Sequence, residues 1–420
     1  MIALTKPKIN KLYTHKQQDI LKRSREKDWF MMVNHGAVRA GKTVLDNDLF
    51  LFELRRAREN AKRNGDDPMY ILGATSAGTL QTNILKEISS KYGIEFKFDR
   101  YGNFYLFDVY VVTTFTGNVG GLKAIRGMTA YGAYINEATL ANKEVFDEII
   151  KRCSGEGARV ILDTNPDHPN HWLKKDYIDK ADDNRIVSNH FTVFDNNFLN
   201  ERYVENLINA TPSGVFTERG IYGRWTSGEG AVYTDFDEKK HYVDELPEIK
   251  TVYCGVDWGY EHWGSIVVMG EDENDNTYLI EEHAAQHEEI DYWVKVAQDI
   301  QGSYGVHIPF YADSARPEHV ARFVREGIRA QNANKSVLSG IEEVAKLFKQ
   351  GSLFVLRSGV SKFNDEIYQY VWNKKTGEPV KENDDVLDAV RYAIYSRSIV
   401  RNRRTGTTDQ KLRTAKRLFG

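Results

Sequence analysis

The chain has 420 residues, enough for two or three domains. Lysine and arginine together number 57 and aspartate and glutamate 60, giving a formal net charge of −3, and 41% of the residues are hydrophobic. This composition excludes wholesale disorder. No apolar stretch approaches the roughly 18 residues of a membrane span, and Cys153 and Cys254 alone cannot make a disulfide framework. The first residues lack a long apolar segment, so we expect no cleaved secretory signal.

The charge is unevenly distributed along the chain. Residues 1–225 carry 32 basic and 28 acidic side chains (+4), residues 226–396 carry 17 and 31 (−14), and residues 397–420 carry eight and one (+7). This distribution excludes a uniformly basic surface, but it allows local contact with nucleic acid through basic rims. The basic end has two interpretations, a solvated tail or a segment that binds phosphates or docks on a partner.

The predicted elements alternate between strands and helices. After a charged helix at 15–27, apolar strands are predicted at 29–35, 69–75, 103–115, 131–138 and 159–166, and a long helix after the first strand ends at Asn64. The pattern weakens at about 220–248. Further strands are predicted at 251–259, 264–270, 277–285, 308–314 and 352–357, with helices near 288–302 and 384–400. This alternation predicts an α/β fold with sites at the ends of strands.

A glycine-rich loop joins the first strand to the long helix. Residues 36–43 fit the pattern G-x-x-x-x-G-K-[ST] of a phosphate-binding loop. Gly36 and Gly41 allow the backbone to wrap around phosphates, while Lys42 reaches the β- and γ-phosphates. The hydroxyl of Thr43 is the expected Mg²⁺ ligand. Arg39 is either a solvent-facing loop residue or a contact to the γ-phosphate.

A second polar segment follows the strand predicted at 131–138. P-loop ATPases need a carboxylate at a neighbouring strand end to orient Mg²⁺ and another group to polarise the attacking water. Glu137 is the candidate that activates water. Asn136 stands where an aspartate is usual and brings no negative charge, which weakens the part of the motif that orients the metal ion. The alternative is an ordinary end of a strand.

Several aspartates in the acidic segment suggest a second site. Asp257 and Asp313 each come at the end of an apolar strand. Asp384, Asp385 and Asp388 open the last predicted helix, and residues 385 and 388 share a helical face. Clustered carboxylates are costly to bury unless they bind cations, and two Mg²⁺ ions about 4 Å apart need such a set. The alternative is that the aspartates are turn residues and a helix N-cap.

Taken together, these motifs resemble the large terminase subunit of tailed bacteriophages. The resemblance rests on GAVRAGKT, YINEA, DTNP, GVDWG, YADSA and NDDVLDAVRY, in that order. It implies an N-terminal P-loop ATPase sheet followed by an RNase H-like α/β nuclease domain. The implied domains are 1–225 for the ATPase, 226–248 for a linker, 249–400 for the nuclease and 401–420 for a basic tail.

The resemblance also implies roles in the ATPase half. Gln18 is similar to the glutamine that contacts adenine, with Gln17 as a close rival, and Arg39 matches the arginine within terminase P-loops. Thr164 and Asn165 are similar to the coupling motif that senses the γ-phosphate. Arg126 resembles an arginine finger donated between subunits, with a sheet-edge arginine as the alternative. The implied nucleotide-binding set is Gln18, Gly36, Arg39, Gly41, Lys42, Thr43 and Asn136.

In the nuclease half, the resemblance implies four metal ligands, of which Asp385 is the least certain because some relatives have histidine there. They are Asp257, Asp313, Asp385 and Asp388. The implied cofactors are ATP with Mg²⁺, and two Mg²⁺ or Mn²⁺ ions for the nuclease. The implied partners are double-stranded DNA, the portal protein, the small terminase subunit and further copies in a ring, with no membrane. The implied location is the cytoplasm of the infected bacterium, with no stable place in the mature virion.

Two other functions fit parts of the pattern. An ATP-dependent repair or recombination helicase–nuclease would also combine a P-loop with a carboxylate site, but a second motor domain is not evident between the two. A non-enzymatic P-loop scaffold would bind nucleotide and assemble on a partner, and the carboxylates at 257, 313 and 385–388 argue against it.

Overall fold

The computed structural model describes residues 12–401 and divides the chain into two compact units. The first unit comprises the chain up to Asn206 and Thr217–Ser227, and the second comprises Leu207–Phe216 and the chain from Gly228 onward. Most of the segment predicted as a linker, 226–248, therefore belongs to the second unit. The predicted basic tail lies outside the described residues except for Arg401, as do the first eleven residues.

A seven-stranded sheet forms the centre of the first unit. Its strands are β1 (Met31–Gly36), β2 (Met69–Ala74), β3 (Phe104–Leu106), β4 (Val109–Phe115), β5 (Gly132–Ile135), β6 (Arg159–Thr164) and β7 (Ile186–Phe191). The order is β3-β4-β2-β5-β6-β1-β7, and only β3 runs antiparallel to its neighbour. β6 therefore lies between β5 and β1, which are the strands that lead to the two polar motifs.

The strands of this sheet are hydrophobic almost throughout because helices cover them. Every residue of β1, β5 and β6 is buried, as expected for parallel strands with both faces covered. Met31, Val33 and Val160 join one core cluster with Phe146 of a flanking helix. The helices of this part of the chain are His15–Glu26, Lys42–Asn64, Ala77–Thr79, Lys86–Tyr92, Leu122–Ile125, Lys143–Arg152, Glu201–Ala210 and Val215–Gly220, with π-helical turns at Leu80–Leu85 and Lys174–Ile178.

The second unit contains another seven-stranded sheet. Its strands are β8 (Tyr242–Val243), β9 (Thr251–Asp257), β10 (Gly264–Glu271), β11 (Thr277–Ala285), β12 (Phe310–Ala312), β13 (Ala330–Asn332) and β14 (Leu353–Leu356), in the order β13-β12-β9-β10-β11-β14-β8. β9, β10 and β11 are antiparallel, and the outer strands pair in parallel. The helices are Glu238–His241, Ile290–Tyr304, Pro317–Arg325, Val337–Gln350, Lys362–Gln369 and 385–401.

Alternating side chains of β9 enter two different cores. Tyr253 packs with the helix 385–401 through residues such as Leu387, while Cys254 and Val256 pack with Trp293 on the other face. Gly255 lies on the side of the 385–401 helix, and a Cβ atom there would lie 1.9 Å from the carbonyl oxygen of Ala389. The close approach needs glycine, and it holds the start of the helix beside the end of β9.

The architecture confirms the predicted fold class, with two α/β sheets in succession. None of the described helices is long and apolar enough to cross a membrane.

Candidate functional sites

The glycine-rich loop is fixed between β1 and the helix Lys42–Asn64. Gly36 has a φ of 141°, and a Cβ atom there would lie 1.9 Å from the carbonyl oxygen of Phe191 in β7. Gly41 has a φ of 86° and immediately precedes the helix. These are backbone positions that glycine adopts without a steric penalty. The loop therefore places the positive end of a 23-residue helix at the edge of the sheet.

Lys42 is buried beneath this loop. Its Nζ atom donates to the carbonyls of Gly36 at 2.8 Å and Ala37 at 2.6 Å, and to Asn165 Oδ1 at 3.1 Å. Burial lowers the pKa of Lys42 to about 8. The carbonyls satisfy its hydrogens without neutralising its charge, so an anionic group in the loop would be strongly favoured.

A cavity of about 490 Å³ opens in front of the loop. Its lining includes Arg39, Gly41, Lys42, Thr43, Glu137, Asp163, Thr164 and Asn165. The cavity thus brings together the P-loop, the predicted water-activating glutamate and the predicted coupling motif. It is a polar cavity within the first unit, and its size suits a nucleotide.

Asn136 and Glu137 follow the end of β5 directly. Glu137 has a left-handed backbone (φ 55°), and its pKa is raised by burial and by the nearby Asp163 carboxylate. Asn136 is 1% exposed and its amide nitrogen donates to both oxygens of Asp163, at 2.7 and 3.0 Å. Asn136 Oδ1 accepts from Asn83 at 3.2 Å.

The end of β6 supplies three consecutive polar residues. Thr164 Oγ1 accepts from the backbone N–H of Thr139 at 3.0 Å, and Asn165 accepts from Lys42. Asp163 is a site residue that the sequence analysis missed. The signal was present, because an aspartate ending an apolar strand is the pattern that singled out Asp257 and Asp313.

The two candidate glutamines have different positions. Gln17 Nε2 donates to the carbonyl of Gly41 at 2.8 Å, and its Oε1 accepts from the N–H of Thr14 at 2.8 Å in a capping box. Gln18 Nε2 donates to the carbonyl of Tyr13 at 2.9 Å. The structure therefore places Gln17, the rival of Gln18, against the P-loop.

The two predicted arginines are both exposed. Arg39 has a left-handed backbone (φ 57°), and its carbonyl accepts from Asn196 Nδ2 at 2.7 Å. Arg126 follows the short helix Leu122–Ile125 and is not among the described residues that line the P-loop cavity. Of these two arginines, Arg39 is the one that lines the cavity.

In the second unit, the end of β9 brings the predicted carboxylates near one another. The pKa of Asp257 is raised well above its usual value by burial and then by repulsion from the other carboxylates, Asp388 first. Asp384 is affected in the same way, with a pKa raised to about 7 by burial and by Asp388 and Asp385. This mutual repulsion is what a bound divalent cation would relieve.

Basic side chains hold three of these carboxylates. Lys335 Nζ pairs with Asp313, Arg391 pairs with Asp388 at 2.8 Å, and Lys362 Nζ lies 3.9 Å from Asp385. Lys335 and Lys362 are distant in sequence from the aspartates they approach, so no spacing predicts these two contacts, whereas Arg391 lies three residues after Asp388.

The side chains do not already form a ligand cage. Among residues 12–401, no three histidine, cysteine or acidic side chains converge closely enough to hold a metal ion. The donor chemistry fits hard divalent cations, which prefer carboxylate oxygens. The arrangement would have to tighten around the ions, with Asp313 released by Lys335.

Trp258, next to Asp257, packs inside the unit. Its indole N–H donates to the carbonyl of Asp313 at 2.8 Å, and its ring makes an edge contact with Phe323 at 5.1 Å. Trp258 therefore ties the end of β9 to the end of β12.

The first sheet and its glycine-rich loop have the architecture of a P-loop nucleotide-binding protein, and the second unit is RNase H-like. Two family models match consecutive parts of the chain. One, described as the N-terminal part of the T4-like terminase large subunit, matches residues 36–240, and the other, described as the terminase RNaseH-like domain, matches residues 254–397. The chain belongs to the family of phage large terminase subunits, as its motifs predicted.

Solved structures show the same fold. The large terminase of a thermophilic bacteriophage has a TM-score of 0.81 at 23% identity, covering 92% of this chain and 99% of that one. Structures of the same phage protein in complex with ADP and with ATP-gamma-S each have a TM-score of 0.77 at 24% identity, covering 90% and 98%. At this identity the likeness establishes the fold. A comparison with curated proteins found no match.

Proposed function

We propose that the chain is the motor subunit that packages phage DNA and cuts it. In this proposal, ATP hydrolysis at the P-loop cavity drives double-stranded DNA into a procapsid, and the carboxylates of the second unit cleave concatemeric DNA. The observation that carries the proposal is the pairing of Lys42 with Asn165 in a cavity that also holds Glu137. This geometry links the phosphate-binding loop to the strand end that would sense hydrolysis.

The ATPase roles follow from the cavity. The loop N–H groups and Lys42 bind the β- and γ-phosphates, Thr43 holds Mg²⁺, and Glu137 polarises the attacking water. Its raised pKa makes Glu137 a better proton acceptor, because a carboxylate gains basicity as its pKa rises toward neutrality. Thr164 and Asn165 respond to the γ-phosphate. The related phage protein was solved with ADP and with ATP-gamma-S, which supports a nucleotide as the ligand.

The nuclease roles follow from the second cluster. Asp257, Asp313 and Asp388, with Asp385, hold two Mg²⁺ or Mn²⁺ ions. When bound, the ions supply activation of water and stabilisation of the leaving oxygen. The carboxylates would hold the ions, and Arg391 fixes the direction of Asp388 through a hydrogen bond at 3.2 Å and an ion pair at 2.8 Å.

The family supports the partners of this motor. They are double-stranded DNA, the portal protein, the small terminase subunit and further copies of the chain in a ring, within the host cytoplasm during infection. Arg126 is exposed, as an arginine finger donated to a neighbouring subunit must be. The functional domains are 1–225 for the ATPase and 249–400 for the nuclease, with 226–248 as the connection and 401–420 as a basic tail.

The ATPase assignment is tested by Lys42→Ala in the full chain. We expect loss of ATP turnover, because the buried lysine is the cation that would meet the phosphates, and circular dichroism at the assay temperature checks that the variant is folded. Lys143→Ala, which removes a surface ion pair to Asp147 in the same unit, is the matched control and should hydrolyse ATP normally. Wild-type turnover by Lys42→Ala would refute the assignment.

The nuclease assignment is tested by Asp257→Asn. We expect loss of Mn²⁺-dependent plasmid cleavage while ATP turnover is retained. Asp272→Asn is the control, because Asp272 is a buried carboxylate that accepts hydrogen bonds within a turn between β10 and β11. Cleavage by Asp257→Asn at the wild-type rate would show that the metal site lies elsewhere.

A further inference from the structure

The ATPase site has a carboxylate on a different strand from the one where it was expected. The residue that directly follows β5 is the amide Asn136, which cannot supply negative charge. The neighbouring strand β6 ends with Asp163 and Thr164, and the register pairs Ile135 with Leu162, so Asn136 and Asp163 are the next positions on adjacent strands.

We propose that Asp163 takes the place of the missing carboxylate and orients the Mg²⁺ ion that accompanies the bound nucleotide, through the water molecules around that ion. This inference rests on the proposed nucleotide-binding function. It gives Asn136 a supporting role, as the residue that directs Asp163, and it leaves water activation to Glu137.

Asp163 has the right position for this task. β6 lies between β5 and the P-loop strand β1, where the register pairs Asp163 with Asn34. Asp163 is 2% exposed, yet it lines the same cavity as Lys42 and Thr43. Among the side-chain charges that act on the ammonium of Lys42, Asp163 has the largest effect.

The hydrogen bonds of Asp163 orient it but do not neutralise it. Its oxygens accept from Asn136 Nδ2 at 2.7 and 3.0 Å, from the N–H of Glu137 at 2.8 Å and from the hydroxyl of Tyr134 at 3.1 Å. All these donors are neutral groups. Among the ion pairs formed by residues 12–401, none includes Asp163. A buried carboxylate held in this way is costly unless a cation compensates it.

A second buried acid lies close to the same lysine. Asp46 lies one helical turn after Thr43 and is 0% exposed, and burial raises its pKa well above the usual value. One of its oxygens accepts from Asn34 Nδ2, whereas the other, Oδ2, has no hydrogen-bond partner among the described residues. Asp46, Asp163 and Glu137 all act electrostatically on the ammonium of Lys42. Asp163 and Glu137 line the cavity, where a divalent cation would compensate them.

A purely structural role for Asp163 makes a different prediction. The bond from the N–H of Glu137 supports a left-handed backbone, so removing Asp163 could misplace the water-activating glutamate. That role would affect hydrolysis and leave the Mg²⁺ dependence of nucleotide binding unchanged. The dependence of binding on Mg²⁺ therefore separates the two roles.

The test measures the affinity of the full chain for a fluorescent ADP analogue with Mg²⁺ and with EDTA. In Asp163→Asn we expect the tightening caused by Mg²⁺ to fall by about 10- to 100-fold, while the affinity in EDTA stays unchanged. Asp48→Asn is the matched control, because Asp48 is a buried carboxylate of the helix Lys42–Asn64 and its partners are Lys91 and Tyr92. It should keep the wild-type response to Mg²⁺.

The exchange variant Asn136→Asp/Asp163→Asn completes the test. It keeps one amide and one carboxylate in the pair, so it should fold even if Asp163→Asn does not, and it should recover the response to Mg²⁺. A folded Asp163→Asn with the full Mg²⁺ response, or a folded exchange variant without it, would overturn the inference.

The controls separate this inference from the proposed function. If the wild-type chain binds the analogue and Lys42→Ala does not, nucleotide binding at the P-loop is established, whatever the result for Asp163→Asn. If the wild-type chain binds no nucleotide with or without Mg²⁺, the proposed function fails and the role of Asp163 fails with it.

Discussion

The contact between Gly255 and the helix 385–401 makes a sharp prediction for the nuclease site. Gly255 lies two residues before Asp257, and Ala389 follows Asp388. A Cβ atom on Gly255 would lie 1.9 Å from the carbonyl oxygen of Ala389 and 2.9 Å from the Cβ of Ala393. Gly255→Ala must therefore push the helix away from β9, and with it one of the two carboxylates.

The size of the effect follows from these distances. A close C–H···O contact is about 3.3 Å long, so relieving the clash needs a shift of about 1.4 Å between helix and strand. Misplacing catalytic groups by about 1 Å costs about 100-fold in rate. Overpacking of this kind also lowers the free energy of unfolding by about 1–3 kcal/mol. We therefore expect DNA cleavage to fall by about 100-fold and ATP turnover to stay unchanged.

The assay compares Mn²⁺-dependent plasmid cleavage, ATP turnover and urea unfolding for Gly255→Ala and a control. Gly302→Ala is the control, because Gly302 lies in the helix Ile290–Tyr304 and its Cβ would meet no atom within 4 Å. It should cleave DNA normally and gain about 0.5–1 kcal/mol in stability. If Gly255→Ala cleaved DNA at the wild-type rate, the close packing of this helix would not be what positions Asp388.

Three further predictions concern the surroundings of the two sites. The pKa of Lys42 is lowered to about 8, so its ammonium is present below that pH and lost above it. The affinity for ADP should therefore be constant at lower pH and fall about tenfold per pH unit above about 8. Lys42→Arg stays charged and should not show this fall, and a flat wild-type profile would contradict the assignment. Gln17→Ala should weaken ADP binding and lower the melting temperature, because it removes both the capping box and the hydrogen bond to Gly41. Gln18→Ala should change neither the affinity nor the melting temperature, because the side chain of Gln18 bonds to Tyr13 instead. Equal effects of the two substitutions would show that Gln17 is not the glutamine that supports the loop. Lys335→Ala should tighten Mn²⁺ binding at the nuclease site by about two- to fivefold, because the half-exposed ammonium of Lys335 competes with the metal for Asp313. Calorimetry measures this affinity, with Lys349→Ala as the control. Weaker binding by Lys335→Ala would mean that Lys335 supports the site.

Much of the fold was predictable because its signals are local. The P-loop needs glycines at two backbone positions that other residues rarely adopt, so Gly36 and Gly41 identify it in the sequence. Apolar runs of five or more residues predicted most of the strands, although the segment 103–115, predicted as one strand, forms the hairpin of β3 and β4. Three strands were not predicted: β7, which mixes polar and apolar residues, and β8 and β13, which have two and three residues and leave no period to detect. The helix 385–401 was predicted from its spacing of apolar residues.

The parts that were missed depend on contacts between distant residues. Gln17 and Gln18 are adjacent, and only the direction of the helix His15–Glu26 decides which one reaches Gly41. Lys335 reaches Asp313 from a loop after β13, a pairing that no spacing reveals. The importance of Asp163 depends on β6 lying between β5 and β1, which is a property of strand order.

In vitro packaging of DNA is the decisive assay for a motor driven from the P-loop. The assay supplies the full chain, procapsids with their portal, linear double-stranded DNA and ATP, and measures the DNA that becomes protected from added nuclease. We expect protection by the wild-type chain and by Asp257→Asn, because translocation of linear DNA needs no cleavage, and no protection by Lys42→Ala. Protected DNA with Lys42→Ala, or equal loss of protection with Asp257→Asn, would contradict a motor driven from the P-loop and separate from the nuclease.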